Sequence, residues 1–401
     1  MKKFGILMSV LFLVLGALSV FSQETASESQ ELTFYRQNFE KATLPTKVQI
    51  ITNALELDRN DFGPLYGDAL TYVYNHQEDL LTDGQLNRLA ILAIDGAKKT
   101  AYAPSARIIW ELFLLVDKTE FRLSAADALS AVLKEKDPVL ESVHAWLDEQ
   151  NTGKYASDVE RNRQEIEAVV IMLGKVGDPD SFKPLLDTLL AQYSLSTNDL
   201  VIKAMFSLNT DVVEQIGLAI EKERLETKKL IYKFFIESDV LSTEQKTQVA
   251  VKSLDVAVKN TRTNPADVKK ISMWRYEIAS FLVQNPPSFD YAKTAVDHFN
   301  LTVLEYDRGI ATRNSLAEAI AILGSSDSDL AADRLIKYLD LINTYTERSV
   351  HYDTQLTLAT IDALKRLGRK KAYNSLLYVT FLNYPANIRN AARDAMSALK
   401  E

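Results

Sequence analysis

From Leu32 almost to the last residue, apolar side chains recur at three- and four-residue spacings, with no sustained alternation of β-branched residues. That pattern confines the chain to helices and leaves no credible sheet. Glycine and proline, the residues that punctuate turns and strands, number only 13 and 10 in 401 residues, which calls for short connections. There is no cysteine, so neither a disulfide framework nor a Cys-ligated zinc site is available, and stability must come from packing.

The helices recur with a period. Arg122-Leu-Ser-Ala-Ala-Asp-Ala-Leu-Ser-Ala-Val132 aligns with Arg389-Asn-Ala-Ala-Arg-Asp-Ala-Met-Ser-Ala-Leu399, sharing the arginine, the Asp-Ala pair and the Ser-Ala pair in one register. A second pattern runs from Ile171 to Leu190: Gly174 and Gly177 are expected to end one helix, Asp178-Pro179 to cap the next, and leucines 185, 186, 189 and 190 to form its buried stripe. Related segments start at Ala319 and Leu364. The last apolar residue of each first helix then falls at Leu55, Ile94, Leu133, Leu173, Leu208, Leu282, Leu323 and Leu367. Successive intervals are 39, 39, 40, 35, 74, 41 and 44 residues, the 74 fitting two units.

A period near 40, built from two helices and a tight turn, resembles the HEAT-repeat family, a helical array of the armadillo type. The likeness rests on the Leu-Gly pairs at 173–174, 323–324 and 367–368, on Asp178-Pro179 and on the Arg-x-x-Ala-x-Asp-Ala helix starts. It implies an all-α superhelix of eight or nine helix pairs, with residues 32–120 as divergent N-terminal repeats and 121–401 as the better-matched array. Residues 222–275 fit the template weakly. Asn260–Asp267 is expected to lengthen one connection, and Pro286-Pro287 to make a stiff corner.

Before the array, Lys2-Lys3, the apolar run Phe4–Phe21 and a polar exit make a secretory signal, with cleavage expected after Ser22. The rival reading is an uncleaved anchor, since eighteen apolar residues are borderline for spanning a bilayer. Residues 23–31 read as a disordered leader. Cleavage implies a periplasmic or secreted protein with no transmembrane span in the mature form. Mature, the chain keeps 44 basic and 54 acidic side chains, a net charge of −10. Such a balance repels phosphate backbones, so nucleic acid is not an expected partner.

Motifs for chemistry are absent from the sequence. The four histidines, 76, 144, 298 and 351, include no pair at helical spacing and read as partly exposed surface residues. No Gly-x-Ser-x-Gly elbow or Gly-rich phosphate cradle occurs. Asp327, Asp329 and Asp333 lack the glycine that a calcium loop needs at its sixth place, and read instead as helix N-capping by Asp327 or Asp329. No cofactor is expected and no enzymatic activity. The resemblance leaves one enzymatic alternative, a lyase on a HEAT scaffold.

The sequence therefore points to an exported scaffold that binds other proteins of the cell envelope; the alternative from another class is a structural subunit of an envelope assembly. Residues 315–401 are the expected binding surface. Tyrosines 338, 345, 352, 373, 378 and 384 concentrate there, with Tyr338 and Tyr378 the best candidates for exposure. The basic run Lys365, Arg366, Arg369, Lys370 and Lys371 lies beside them, either completing a helix C-terminus or offering a patch to an acidic partner. Met396 and Leu399, on the last helix (expected over 388–400), await cover.

Overall fold

The computed structural model describes residues 28–152, 159–264, 266–350 and 352–399. The signal segment, residues 23–27 of the leader, and His351 lie outside them. Within the described residues the chain forms twenty α-helices joined by turns and short 3-10 segments, and no strand. No described helix is long and apolar enough to cross a membrane.

Two compact units divide between Val143 and His144. The first contains α1 (Gln30–Lys41), α2 (Leu44–Glu56), α3 (Gly63–Asn75), α4 (Gly84–Lys99), α5 (Ala106–Leu115) and α6 (Thr119–Val132); the division falls inside α7 (Val139–Asn151). Folded structure starts slightly earlier than the apolar pattern suggested. Ser29 caps α1, its Oγ accepting from Leu32 N at 3.2 Å, so residues 30 and 31 of the expected leader are helical. The even helices α2, α4 and α6 pack in succession, as do the odd helices α1, α3 and α5, giving two layers. Leu65, Leu89, Ile109, Phe113 and Leu129 fill the space between them with no exposed surface.

The second unit continues with α8 (Val159–Val176), α9 (Phe182–Leu190), α10 (Leu195–Met205), α11 (Val212–Lys222), α12 (Leu225–Glu237), α13 (Thr243–Thr263), α14 (Val268–Gln284) and α15 (Ala292–Asp307). It ends with α16 (Arg313–Gly324), α17 (Asp329–Glu347), α18 (Thr354–Leu367), α19 (Tyr373–Phe381) and α20 (Ala386–Ser397). Even helices α14, α16, α18 and α20 stack directly, and odd helices α11, α13, α15, α17 and α19 form the second layer. Every apolar marker residue lies on or just beyond an even helix, and α12 occupies the double interval. In that register α2–α19 make nine pairs, with α1 and α20 flanking them.

Helix ends follow from side-chain chemistry. Asp83, Asp211, Thr312 and Asp353 each accept from a first-turn N–H, and Ser242 with Gln245 forms a reciprocal capping box. Three C-termini are closed by a cation from the following helix. Lys47 Nζ donates to the carbonyls of Phe39 and Glu40, Arg122 Nε to Phe113 O at 3.1 Å, and Lys228 Nζ to Glu221 O at 3.0 Å. Arg122, the first residue of the internal match, thus has a structural task.

Four local expectations change. Gly174 lies inside α8 rather than at its end, and Gly324 is the last residue of α16; a Cβ there would stand 2.9 Å from Ala204 Cβ and 2.6 Å from Ala363 Cβ, so at both positions glycine admits the neighbouring even helix. The left-handed turns are Gly177 (φ 76°) and Gly368 (φ 63°). The N-cap of α17 is Ser328, whose Oγ accepts from Leu330 N at 3.2 Å, rather than Asp327 or Asp329. Only the second half of the stretch expected to lengthen a connection at 260–267 lies outside a helix, because α13 runs on to Thr263. The corner at Pro286-Pro287 is present between α14 and α15, and α20 stops at Ser397 with Met396 and Leu399 half-buried.

Candidate interaction surface at the α17 to α20 end

Two turns lie side by side at one end of the last helices: residues 348–353 lead from α17 to α18, and 382–385 from α19 to α20. Between them is a cleft of about 570 Å³, walled by Thr346, Glu347, Val350, Tyr352, Phe381 and Pro385 among others. Phe381 is 75% exposed and Val350 51%, while Tyr345 and Tyr378 stand at 38% and 40%. Among the described residues Glu347 is the only charged side chain in the lining, and the remaining polar groups are hydroxyls and amides. Apolar side chains next to neutral hydrogen-bonding groups suit a protein surface or peptide backbone.

The cleft is braced from behind. Tyr338 packs edge-on against Phe299 at 5.1 Å, its hydroxyl 2.5 Å from that of Tyr352, and Tyr352 stacks on Tyr345 at 6.1 Å. Tyr384 OH donates to Asn343 Oδ1 at 2.9 Å, and Asn343 Nδ2 donates to Ser375 O at 3.2 Å, tying the second turn to α17 and α19. Burial raises the Tyr338, Tyr352 and Tyr384 hydroxyls above the ordinary phenol range, and a hydrogen bond to Glu347 raises that of Tyr378. All four remain protonated at neutral pH.

Tyr378 is exposed as expected, but Tyr338 is only 1% exposed and cannot meet a partner. Its spacing explains the correction: Leu335, Tyr338 and Ile342 form one stripe, all buried, facing the interior. Phe381, the most exposed aromatic of the cleft, was not singled out from sequence, because a phenylalanine ending an apolar helix reads as core.

The basic run is not part of this cleft. Thr354 lines the cleft at the start of α18, whereas Lys365 and Arg366 occupy its last turn, eleven and twelve residues on and about 17 Å along the axis. Most of the run is engaged within the chain. Arg369 bonds Asp327 Oδ1 at 3.0 Å and lies 2.9 Å from Asp329, Lys371 lies 2.7 Å from Asp333, and Arg366 pairs with Asp362 at 3.4 Å. The acidic cluster and the basic run, which look like two separate features in sequence, thus join the α16–α17 and α18–α19 connections. Lys365 and Lys370 are exposed and make no ion pair among the described residues.

A second polar cluster is sealed inside α13, α14 and α15. Arg275, fully buried, pairs with Glu305, which also accepts from Ser272 Oγ at 2.6 Å and from Tyr276 OH; Arg275 Nη1 reaches Thr261 at 3.3 Å. His298 beside it is fully buried with neither ring nitrogen partnered, contrary to the surface position expected of it. Burial, then the Arg275 charge, push its imidazole well below the usual range. His144 is half-buried against Ser181 Oγ at 2.9 Å, and His76 is exposed. Among the described residues no group of three His, Asp or Glu is placed to hold a metal ion. Searches of protein-family models, curated proteins and solved structures give no match to this chain.

Proposed function

We propose that the chain is an exported, HEAT-like helical scaffold that binds another protein of the cell envelope through the cleft between the α17–α18 and α19–α20 turns. One observation carries the reading: Phe381 stands exposed in a cleft lined mostly by neutral hydrogen-bonding and apolar groups, with Tyr345 and Tyr378 exposed next to its lining residues Tyr352 and Glu347. Rigid aromatics bury large area at little entropic cost and supply most interface anchors. Export is supported by Lys2-Lys3 and the apolar run after them.

A photo-reactive residue at position 381, compared with one at exposed Ile91 in the first unit, tests the site in cells. A defined envelope protein crosslinked from 381 and not from 91 is expected. Phe381→Ala and Tyr378→Ala should each weaken that complex about 30-fold, the effect of an anchor of about 2 kcal/mol. Unchanged affinity in both variants, or crosslinking confined to position 91, refutes it. N-terminal sequencing of the exported form should begin at Gln23.

A further inference from the structure

The even layer of the second unit has a break. α8 packs on α10, and α14 through α20 stack in succession, but α10 and α12 do not close on each other, and α12 packs mainly on α11 and α13. In their place stands a cleft of about 620 Å³ walled by both helices. Its apolar surface comes from Ile202 of α10 and Leu230 and Phe234 of α12, with Leu195, 86% exposed, projecting at the rim. Three carboxylates, Asp199, Glu237 and Asp239, line it against a single cation, Lys233, which is itself 3.8 Å from Glu237. Ser238 Oγ donates to Asp199 Oδ1 at 3.0 Å and fixes that carboxylate in the wall. Asn198, also in the lining, is only 8% exposed, yet its Oδ1 has no hydrogen-bond partner. A buried acceptor left without a donor is costly and rare in folded proteins.

We propose that this cleft receives a basic amphipathic segment of a partner protein, leucine-like side chains entering between Ile202, Leu230 and Phe234 and lysine or arginine side chains meeting Asp199, Glu237 and Asp239. The argument for this occupant is charge complementarity: the lining carries a net negative charge over an apolar floor, so an acidic segment is repelled and a basic one is drawn in. The inference rests on the reading of the chain as a protein-binding scaffold, and adds a second surface with a defined partner chemistry.

The test uses the full chain and a fluorescent helical peptide of about 16 residues, leucine on one face and lysine on the other. A control peptide carries glutamate in place of lysine. Anisotropy should show saturable, salt-sensitive binding of the lysine peptide and none of the glutamate peptide. Asp199→Asn, Glu237→Gln and Asp239→Asn together should weaken it about tenfold. Leu195→Ala, at a position too exposed to affect folding, should weaken it several-fold. Absence of lysine-peptide binding, equal binding of both peptides, or wild-type affinity in the triple variant overturns the proposal. So does binding that responds to Phe381→Ala instead. Failure here with Phe381-dependent partner crosslinking intact removes this site and leaves the scaffold reading standing; failure of both removes the scaffold reading too.

Discussion

Replacing Glu305 by Gln removes one charge from a site that water does not reach. Arg275 is fully buried and Glu305 only 5% exposed, so the guanidinium would keep Thr261 Oγ1 as a neutral partner and lose its counter-ion. Breaking a buried pair from one side costs roughly 3–5 kcal/mol, because the remaining charge stays desolvated. For a unit of this size the expected fall in Tm is roughly 10 °C. Stacked helices can unfold piecemeal, so hydrogen exchange is the sharper assay: faster exchange should be concentrated in α13, α14 and α15, with α2–α6 unaffected. The paired replacement Arg275→Met with Glu305→Leu should recover most of the loss, since it leaves no orphaned charge. If Glu305→Gln melts within about 1 °C of the parent, or if the double variant is worse than the single one, the charge pair is not what holds these helices together.

Two further outcomes are expected. Gly324→Ala should lose about 1–3 kcal/mol in thermal melts, because the new Cβ would stand 2.6 Å from Ala363 Cβ and 2.8 Å from its Cα, while Gly84→Ala, with open space around it, should be neutral or slightly stabilising; equal effects at both positions would refute close helix approach as the role of Gly324. His298 and His144 both have imidazoles pushed below the usual range, by burial first and at His298 also by Arg275. A histidine kept neutral when folded, but protonated when unfolded, contributes stability that is present above the unfolded pKa of about 6.5 and lost as pH falls below it. Stability should therefore decline between about pH 6.5 and 5, and His298→Leu, which removes the ring facing Arg275 and Tyr276, should flatten that decline; an unchanged slope would show that His298 is not its source.

The marker residues show how far periodicity carries. An even helix must present an apolar residue to its predecessor once per pair, so the 40-residue spacing located eight of the ten even helices, and the double interval held a ninth, α12. What periodicity does not carry is how a pair closes. The glycine after a helical leucine reads equally as a C-cap or as room for a neighbour, and only the approach of Ala204 and Ala363 decides between them. Histidine spacing likewise excludes a ligand pair but says nothing of burial, which is set for His298 by helices supplied from elsewhere in the chain.

The two surfaces differ in the same way. Tyr378 was legible because it sits off the leucine stripe of its helix. The exposure of Phe381 depends on α19 ending there, at a turn that carries the ring past the helix packed behind it. The cleft between α10 and α12 left a trace, since its α10 wall lies in the shortest interval of the series, 35 residues, and its α12 wall in the one double interval. A shortened repeat draws its helix out of register with the next, and the contact that regular spacing would have made opens instead. An irregularity in the period was therefore itself a pointer to a surface, once the carboxylates of Asp199, Glu237 and Asp239 are seen to gather around the opening.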